Sequence, residues 1–313
     1  NALIRAICTA HKHGENACKN MTTLLNHVWA GDMTPQEITL WNSSKAQLIP
    51  KPGGNGLRPL NIGGALYRMV NRIINARVSS LIGNELMPLQ YSIAVPGGTE
   101  KMASVTGKAL EGGTHDAISI DLLNAFNLIP RSRVYTALLE RCPILARHFA
   151  LTHGGSSPAF LPNGKLLGHC SRGVRQGDPL AGFLFCLGIH DLLIQVRDLV
   201  AQEVGQEGTT VVVAYADDAC ALVPKAFTAP DPQHPNGLPL LAQQMLDIFA
   251  NEGVQVNAAK TKIHSFDHAS PHNFVQDEDG QGNGQPRPLD EIGFKCVGVP
   301  IGSAEYVQKT VQE

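Results

Sequence analysis

"VVVAYADDACAL" (residues 211–222) sets two acidic residues, Asp217 and Asp218, between two runs of small and apolar side chains. Acidic residues are depleted in strands, so the stretch reads as strand, tight acidic turn and returning strand. Neighbouring side chains on a strand point to opposite faces, so these two carboxylates do not chelate one ion side by side, although a hairpin tip relaxes that rule. Taken alone, the stretch is equally a surface turn, but the apolar run Val211 to Ala214 roots the hairpin in a core. A hard divalent cation takes oxygen ligands, typically one or two carboxylates plus substrate phosphates. A pair of ions for in-line phosphoryl transfer needs a further carboxylate from elsewhere. "HDAISIDLLNAFN" (115–127) offers one: Ala117 and Ile118 lead a short strand to Asp121, 96 residues before Asp217.

Between the two carboxylate elements lies "SRGVRQGDPLAGFLF" (171–185), with Gly173 and Gly177 leaving backbone exposed, the forked amide of Gln176, and the charges of Arg172 and Arg175. Glycine at a helix start lets a flat ligand approach, and the helix terminus favours anions. An ordinary Gly-rich loop and cap is the alternative. Around these stretches the chain predicts a Gly/Pro-rich hairpin over 51–62 and a helix over 66–82 with Met69, Val70, Ile73, Ile74 and Val78 on one stripe. It further predicts helices over 129–142, 177–204 (capped by Asp178 with Pro179 just inside) and 238–254 (stopped at Gly253), and strands over 254–266 and 292–302. Two stretches, 227–239 and 275–288, read as loops. The pattern is α+β, close to a split-βαβ sheet with helices on one face.

Net charge is −2, but residues 1–110 carry a balance of +6 and residues 111–313 a balance of −8. A basic part beside an acidic remainder suits an anionic ligand on one side and cations on the other; uneven surface charge is the plain alternative. Seven scattered cysteines fit neither a disulfide framework nor a C-x-x-C zinc site, and the spacing of His11 and His13 to Cys8 and Cys18 matches no usual zinc pattern. No apolar run reaches membrane-spanning length, which predicts a soluble, intracellular protein with no membrane partner. The first residue is Asn1, as expected of an excerpt from something longer.

"SIDLLNAFN", "RQGDPLAGFLF" and "AYADDA", in this order, resemble the A, B and C motifs of reverse transcriptases, closest to those of non-LTR retrotransposons and group II introns. The likeness extends outward: "LIPKPGGNGLRPLNIGGALYRMVNRIINARV" (48–78) is similar to the fingers motifs, "NEGVQVNAAKTK" (251–262) to motif D and "GFKCVGVPIG" (293–302) to motif E. The B motif departs from the usual "PLSPLLF" by reading "PLAGFLF", and motif E reads "CVGVP" where "FLGVP" is common. The resemblance implies the fingers and palm of a right-hand polymerase, the palm a ferredoxin-like antiparallel sheet with helices on one face. Fingers are expected over 1–115, palm over 116–292 with a fingers-contributed segment near 143–176, and a primer grip with the start of a thumb over 293–313.

The resemblance further implies roles. Asp121 and Asp217 would hold two Mg²⁺ ions (Mn²⁺ as a substitute), with Asp218 supporting or joining them. Lys51 and Arg58 would clamp the triphosphate, Gln176 and Gly177 line the nucleotide pocket, and Phe126 exclude a ribose 2′-hydroxyl. Lys260 is the expected general acid for pyrophosphate, with Lys262 as close a candidate, and Phe294, Val297 and Gly298 belong to the primer grip. Partners would be an RNA template, a DNA primer, dNTPs, and the thumb and endonuclease parts of a longer polyprotein, in the nucleus of a eukaryotic host. The alternatives are a non-catalytic RNA-binding scaffold, a decayed element fragment, and an RNA-dependent RNA polymerase.

Overall fold

A computed structural model describes residues 14–50, 56–111, 114–204, 211–224, 237–264 and 293–312. The strands are β1 (Ser44–Pro50), β2 (Leu57–Gly63), β3 (His115–Ile120), β4 (Ser157–Phe160), β5 (Leu166–Cys170), β6 (Val211–Tyr215), β7 (Asp218–Pro224), β8 (Lys262–His264), β9 (Gly293–Cys296) and β10 (Val299–Gly302). The helices are α1 (Gly14–Ala30), α2 (Pro35–Trp41), α3 (Ala65–Leu86), α4 (Gly98–Glu111), α5 (Ala125–Leu128), α6 (Arg131–Arg141), α7 (Ala146–His153), α8 (Ala181–Val204), α9 (Gly237–Asn251) and α10 (Ala304–Gln312). Contacts divide the chain into two units, residues 1–79 with 130–184, and residues 80–129 with 185–313. Residues 80–115 pack with the second unit, and 130–184 return to the first.

In the first unit a four-stranded sheet runs β2-β1-β4-β5. The expected Gly/Pro-rich hairpin is its β1–β2 pair, in register from Ser44↔Gly63 to Pro50↔Leu57. Beside it lies a buried polar network that carries the buried face of α3 beyond the apolar stripe its periodicity suggests, of which Val78 is buried and Ile73 is not. Tyr67 and Asn71 are almost fully buried, whereas Ile73 is 61 % exposed. The Tyr67 hydroxyl donates to Asp178 Oδ2, while Asn71 Nδ2 and the Leu180 amide each donate to Asp178 Oδ1 at 2.9 Å. Arg175 lies over the Tyr67 ring, donates to its hydroxyl and to the Asn42 carbonyl, and faces Asp178 at 3.7 Å. Burial lowers the His148 pKa to about 4, so its ring is neutral near pH 7 and its Nε2 donates to Asn71 Oδ1 at 2.9 Å. Arg175, expected to add charge to a ligand-facing loop, is instead consumed inside the fold. α8 begins at Ala181 rather than at 177, and Asp178 closes the turn ahead of it through the Leu180 amide, anchoring four partners in doing so.

In the second unit a four-stranded sheet runs β6-β7-β3-β8 with every pairing antiparallel. In chain order this is 2-3-1-4, and α8 and α9 fall between the strands as the split-βαβ reading requires. One face carries Ala117, Val213, Cys220 and Leu222. It packs against Met102, Ala103 and Leu110 of α4 and against Phe294, Cys296 and Ile301 of the β9–β10 hairpin. Alternation sends Ile118, Ile120, Val212, Ala221 and Val223 to the other face, and these are buried too. Helix α9 ends as expected near Gly253 (φ +72°), with the Val254 amide closing back onto the Phe249 carbonyl at 3.0 Å.

The expected strand over 254–266 is mostly something else. The Asn257 amide donates to the Asp121 carbonyl, and its own carbonyl accepts from Lys260 and Thr261, curling 258–260 into a 3-10 turn before β8. Likewise 292–302 is a hairpin rather than one strand, turning at Val297 and Gly298, both with positive φ. The stretch 275–288, most of 227–239, and Cys8, His11 and His13 lie outside the described residues.

Replacing Asp178 by alanine leaves a buried guanidinium, a phenol and two amides without their acceptor. Breaking such a buried charge network costs about 3–5 kcal/mol, as much as truncating a core leucine (about 2–5). Urea unfolding of Asp178→Ala is expected to show that loss; a loss under about 1 kcal/mol would mean the network is energetically idle.

Candidate active site

The site is built by register. β3 pairs with β7 through Ile120↔Ala219, and β6 pairs with β7 up to Tyr215↔Asp218. One step beyond the last β3–β7 pair, Asp121 falls in line with Asp218. The turn between β6 and β7 consists of Ala216 and Asp217. The carboxylates expected to act together are therefore brought to one end of one sheet. Ala216 has φ +54°, a conformation that costs an L-residue about 1–2 kcal/mol, so the Asp217 turn is a strained one.

Asp121 is held through its backbone. Its amide faces Thr261 Oγ1 at 3.4 Å and its carbonyl accepts from the Asn257 amide at 2.9 Å. A single bridge, Leu122↔Val256, continues the docking. Motif-like residues 255–261 thus position the first carboxylate, a role their sequence did not announce. Lys260 ends the 3-10 turn and Lys262 opens β8, both exposed.

Asp218 reaches solvent yet is crowded by protein. That crowding first, then the charges of Asp217 and Asp121, hold its carboxyl above the ordinary carboxylate range. The acidic neighbours that raise Asp218 are what a cation would offset, so the donor set fits a divalent ion in charge and in oxygen chemistry. Among the described residues no three His, Cys, Asp or Glu side chains already sit as a ligand cluster, so the carboxylates are neighbours rather than a closed coordination shell.

Phe126 lies on the short helix α5, half-buried, its ring stacked on Phe185 at 4.6 Å and 23°. Asn124, with φ +46°, precedes that helix. Phe294 is 9 % exposed and belongs to the core, its ring stacked on His264 at 4.0 Å. Val297 and Gly298 form the hairpin tip above it.

The remaining predicted residues belong to the first unit. Arg58 is exposed on β2 opposite Ile49, and Lys51 lies outside the described residues. The Gln176 carbonyl accepts from the Asn61 amide of β2 at 2.7 Å, while its side-chain Oε1 is buried without a partner. Gly177 has φ +101°, and a Cβ there would stand 3.1 Å from the Asn61 carbonyl oxygen. Both the backbone angle and the close approach require glycine. Arg58 and the Gln176–Gly177 pair are thus tied through one strand. Arg131 fixes the same loop, donating to the carbonyls of Gly173, Cys170, His153 and Gly155 at 2.8–3.0 Å. Nothing in the motif spacing points to Arg131, which sits 40 residues or more before the loop it holds at Gly173.

Residues 49–301 match the family described as reverse transcriptase (RNA-dependent DNA polymerase). The chain belongs to that family. Within it the relatives are non-LTR retrotransposon proteins. A retrovirus-related Pol polyprotein from type-1 retrotransposable element R2 of Popillia japonica is 27 % identical over 240 residues, 71 % of this chain and 32 % of the relative. The corresponding polyprotein of type-2 element R2DM of Drosophila melanogaster is 27 % identical over 264 residues, 77 % of this chain and 22 % of the relative. The chain therefore spans under a third of either polyprotein. Among solved structures, telomerase from Candida albicans in complex with a telomeric RNA fragment superposes with a TM-score of 0.53 at 14 % identity, over 87 % of this chain and 46 % of that one. Apo telomerase from Candida tropicalis gives 0.52 at 12 % identity, over 74 % and 45 %. These likenesses confirm the α+β polymerase fold. No described helix is long and apolar enough to cross a membrane.

A carboxyl whose pKa is raised by folding holds its proton more tightly in the native state, so its charge destabilises the fold above the raised pKa and not below the unfolded value. In the presence of a chelator, Asp218→Asn is expected to melt higher than the wild type near pH 8, with the advantage fading towards about pH 3.5. A difference independent of pH, or a lower melting temperature, would contradict the crowding.

Proposed function

We propose that this chain is the polymerase centre of a retroelement protein, an RNA-directed DNA polymerase that adds dNTPs to a primer 3′-hydroxyl on an RNA template. The observation that carries the reading is the β3–β7 register, which brings Asp121 beside the Asp217–Asp218 hairpin. Asp121 and Asp217 would hold two divalent ions, Mg²⁺ by preference, with Asp218 completing the charge. Bound there, such ions supply charge neutralisation on attacking and leaving oxygens and a lowered pKa for the primer hydroxyl.

The chain's own residues do the rest. Phe126, braced by Phe185, presents a flat apolar wall where a ribose 2′-hydroxyl would need space. Lys260, or Lys262, donates a proton to the departing pyrophosphate. Arg58 and Lys51 meet the triphosphate as charged donors, and Gln176 and Gly177 line the nucleotide pocket. Val297 and Gly298 offer backbone at the hairpin tip to the primer, with Phe294 supporting them from the core. Template, primer and the parts of a Pol polyprotein that the chain does not span complete the assembly, working in the nucleus where a chromosomal target lies.

The test is extension of a DNA primer on an RNA template, with the chain assayed alone and within its polyprotein. Incorporation of dNTPs is expected; preference for NTPs would indicate an RNA polymerase, and RNA binding without incorporation a scaffold. Asp217→Ala is expected to fall below about one-hundredth of wild-type activity, beyond the ten- to hundredfold loss typical of an outer partner, with template affinity retained. Phe126→Ala is expected to lower discrimination against ribonucleotides by roughly 10–200-fold, the range for shape selection in a pocket. Unchanged discrimination would remove Phe126 from the nucleotide site.

A further inference from the structure

The strained turn that carries Asp217 is gripped by a side chain that lies outside every motif read from the sequence. Gln90 is fully buried. Its Oε1 accepts from the Ala216 amide at 2.8 Å and its Nε2 donates to the Ala216 carbonyl at 3.3 Å. Both backbone groups of the left-handed residue are therefore satisfied by one amide. The direction of that amide is itself determined: Oε1 also accepts from Ser92 Oγ at 2.9 Å and the Ser92 amide at 3.4 Å. A flipped side chain would set its NH₂ against two N–H donors.

The main chain of the same segment is registered to the hairpin just below the turn. The Tyr91 amide donates to the Ala214 carbonyl at 2.8 Å, and the Ala214 amide donates to the Leu89 carbonyl at 2.7 Å. The single parallel bridge Gln90↔Ala214 results. Among the described residues, the side-chain hydrogen bonds of Gln90 go only to Ala216 and Ser92. Strained backbone persists only where its surroundings over-determine it, and here the Gln90 amide, together with the docking of 89–91 on Ala214, holds the residue immediately before Asp217.

We propose that Gln90 is a positioning residue of the active centre, its buried amide fixing the Ala216–Asp217 turn so that Asp217 is presented to the metal ions. The inference rests on the polymerase reading for its functional consequence. Its geometric half, the clamp on Ala216, stands independently of that reading.

Three measurements on the full chain test it: hydrogen exchange at the Ala216 amide, Mn²⁺ affinity by electron paramagnetic resonance without nucleotide, and the Mg²⁺ concentration for half-maximal primer extension. Gln90→Met keeps the side-chain length and removes the hydrogen bonds. With its circular dichroism and duplex affinity unchanged, it is expected to speed Ala216 exchange, weaken Mn²⁺ binding and raise the Mg²⁺ requirement, each by about tenfold or more, the scale of a lost orienting partner. Folded Gln90→Met with wild-type Mn²⁺ affinity and Mg²⁺ requirement overturns the proposal. Should Gln90→Met not fold, Ser92→Ala, which frees the amide without touching the turn, decides: smaller shifts in the same direction support the clamp, and none overturns it. Asp217→Asn separates the two levels. If it binds Mn²⁺ as the wild type does, the metal assignment fails, and Ala216 exchange alone then judges the clamp.

Discussion

The antiparallel pairing of β3 with β7 is the constraint on which the site depends. β3 leads directly into Asp121, and β7 begins at Asp218 directly after the turn that carries Asp217. Because side chains alternate with a period of two, a one-residue slip would send every side chain to the opposite face. Both faces of this sheet are buried, with Ala117 and Leu222 on one and Ile118 and Ala221 on the other, all at 0 % exposure. A slipped register is therefore paid for on both faces at once. Core packing thus sets where the carboxylates stand.

What packing brings together, electrostatics opposes. Asp218 is disfavoured as an anion by crowding and by its two acidic neighbours, and Ala216 holds a conformation unfavourable to alanine. Both costs sit at the tip, where a cation and a substrate phosphate would act. They are tolerated because the segments around them are firmly docked: 255–261 on the Asp121 backbone, and 89–91 on β6. In the other unit the loop with Gln176 and Gly177 is fixed similarly, by Asp178 and Arg175 from within and by Arg131 from outside.

The sequence made the motif elements legible and left their supports hidden. Two apolar runs with an acidic interruption predicted the β6–β7 hairpin, and the glycines and prolines predicted β1–β2, because local chemistry alone demands those turns. The stripe chosen on α3 was right only in part, since Val78 is buried but Ile73 is exposed while Tyr67 and Asn71 are buried. Periodicity counts apolar residues, and a polar face satisfied by Asp178 and Arg175 leaves no such trace. Arg175 was taken for a ligand-facing charge for the same reason. Residues 254–266 looked like one strand because nothing local signals that Asn257 bonds to Asp121 and curls the chain. Gln90, Arg131 and Thr261 act across more than 40 residues of separation, which only the folded chain reveals.

The central claim is that Asp121 and the hairpin carboxylates form one centre rather than two acidic spots on a sheet edge. Counting Mn²⁺ bound to the wild type, Asp121→Asn, Asp217→Asn and the double variant tests it directly. One shared centre predicts that either single replacement removes most of the binding and that the double variant is no worse than the singles. Losses that simply add, each variant keeping the other's share, would contradict it.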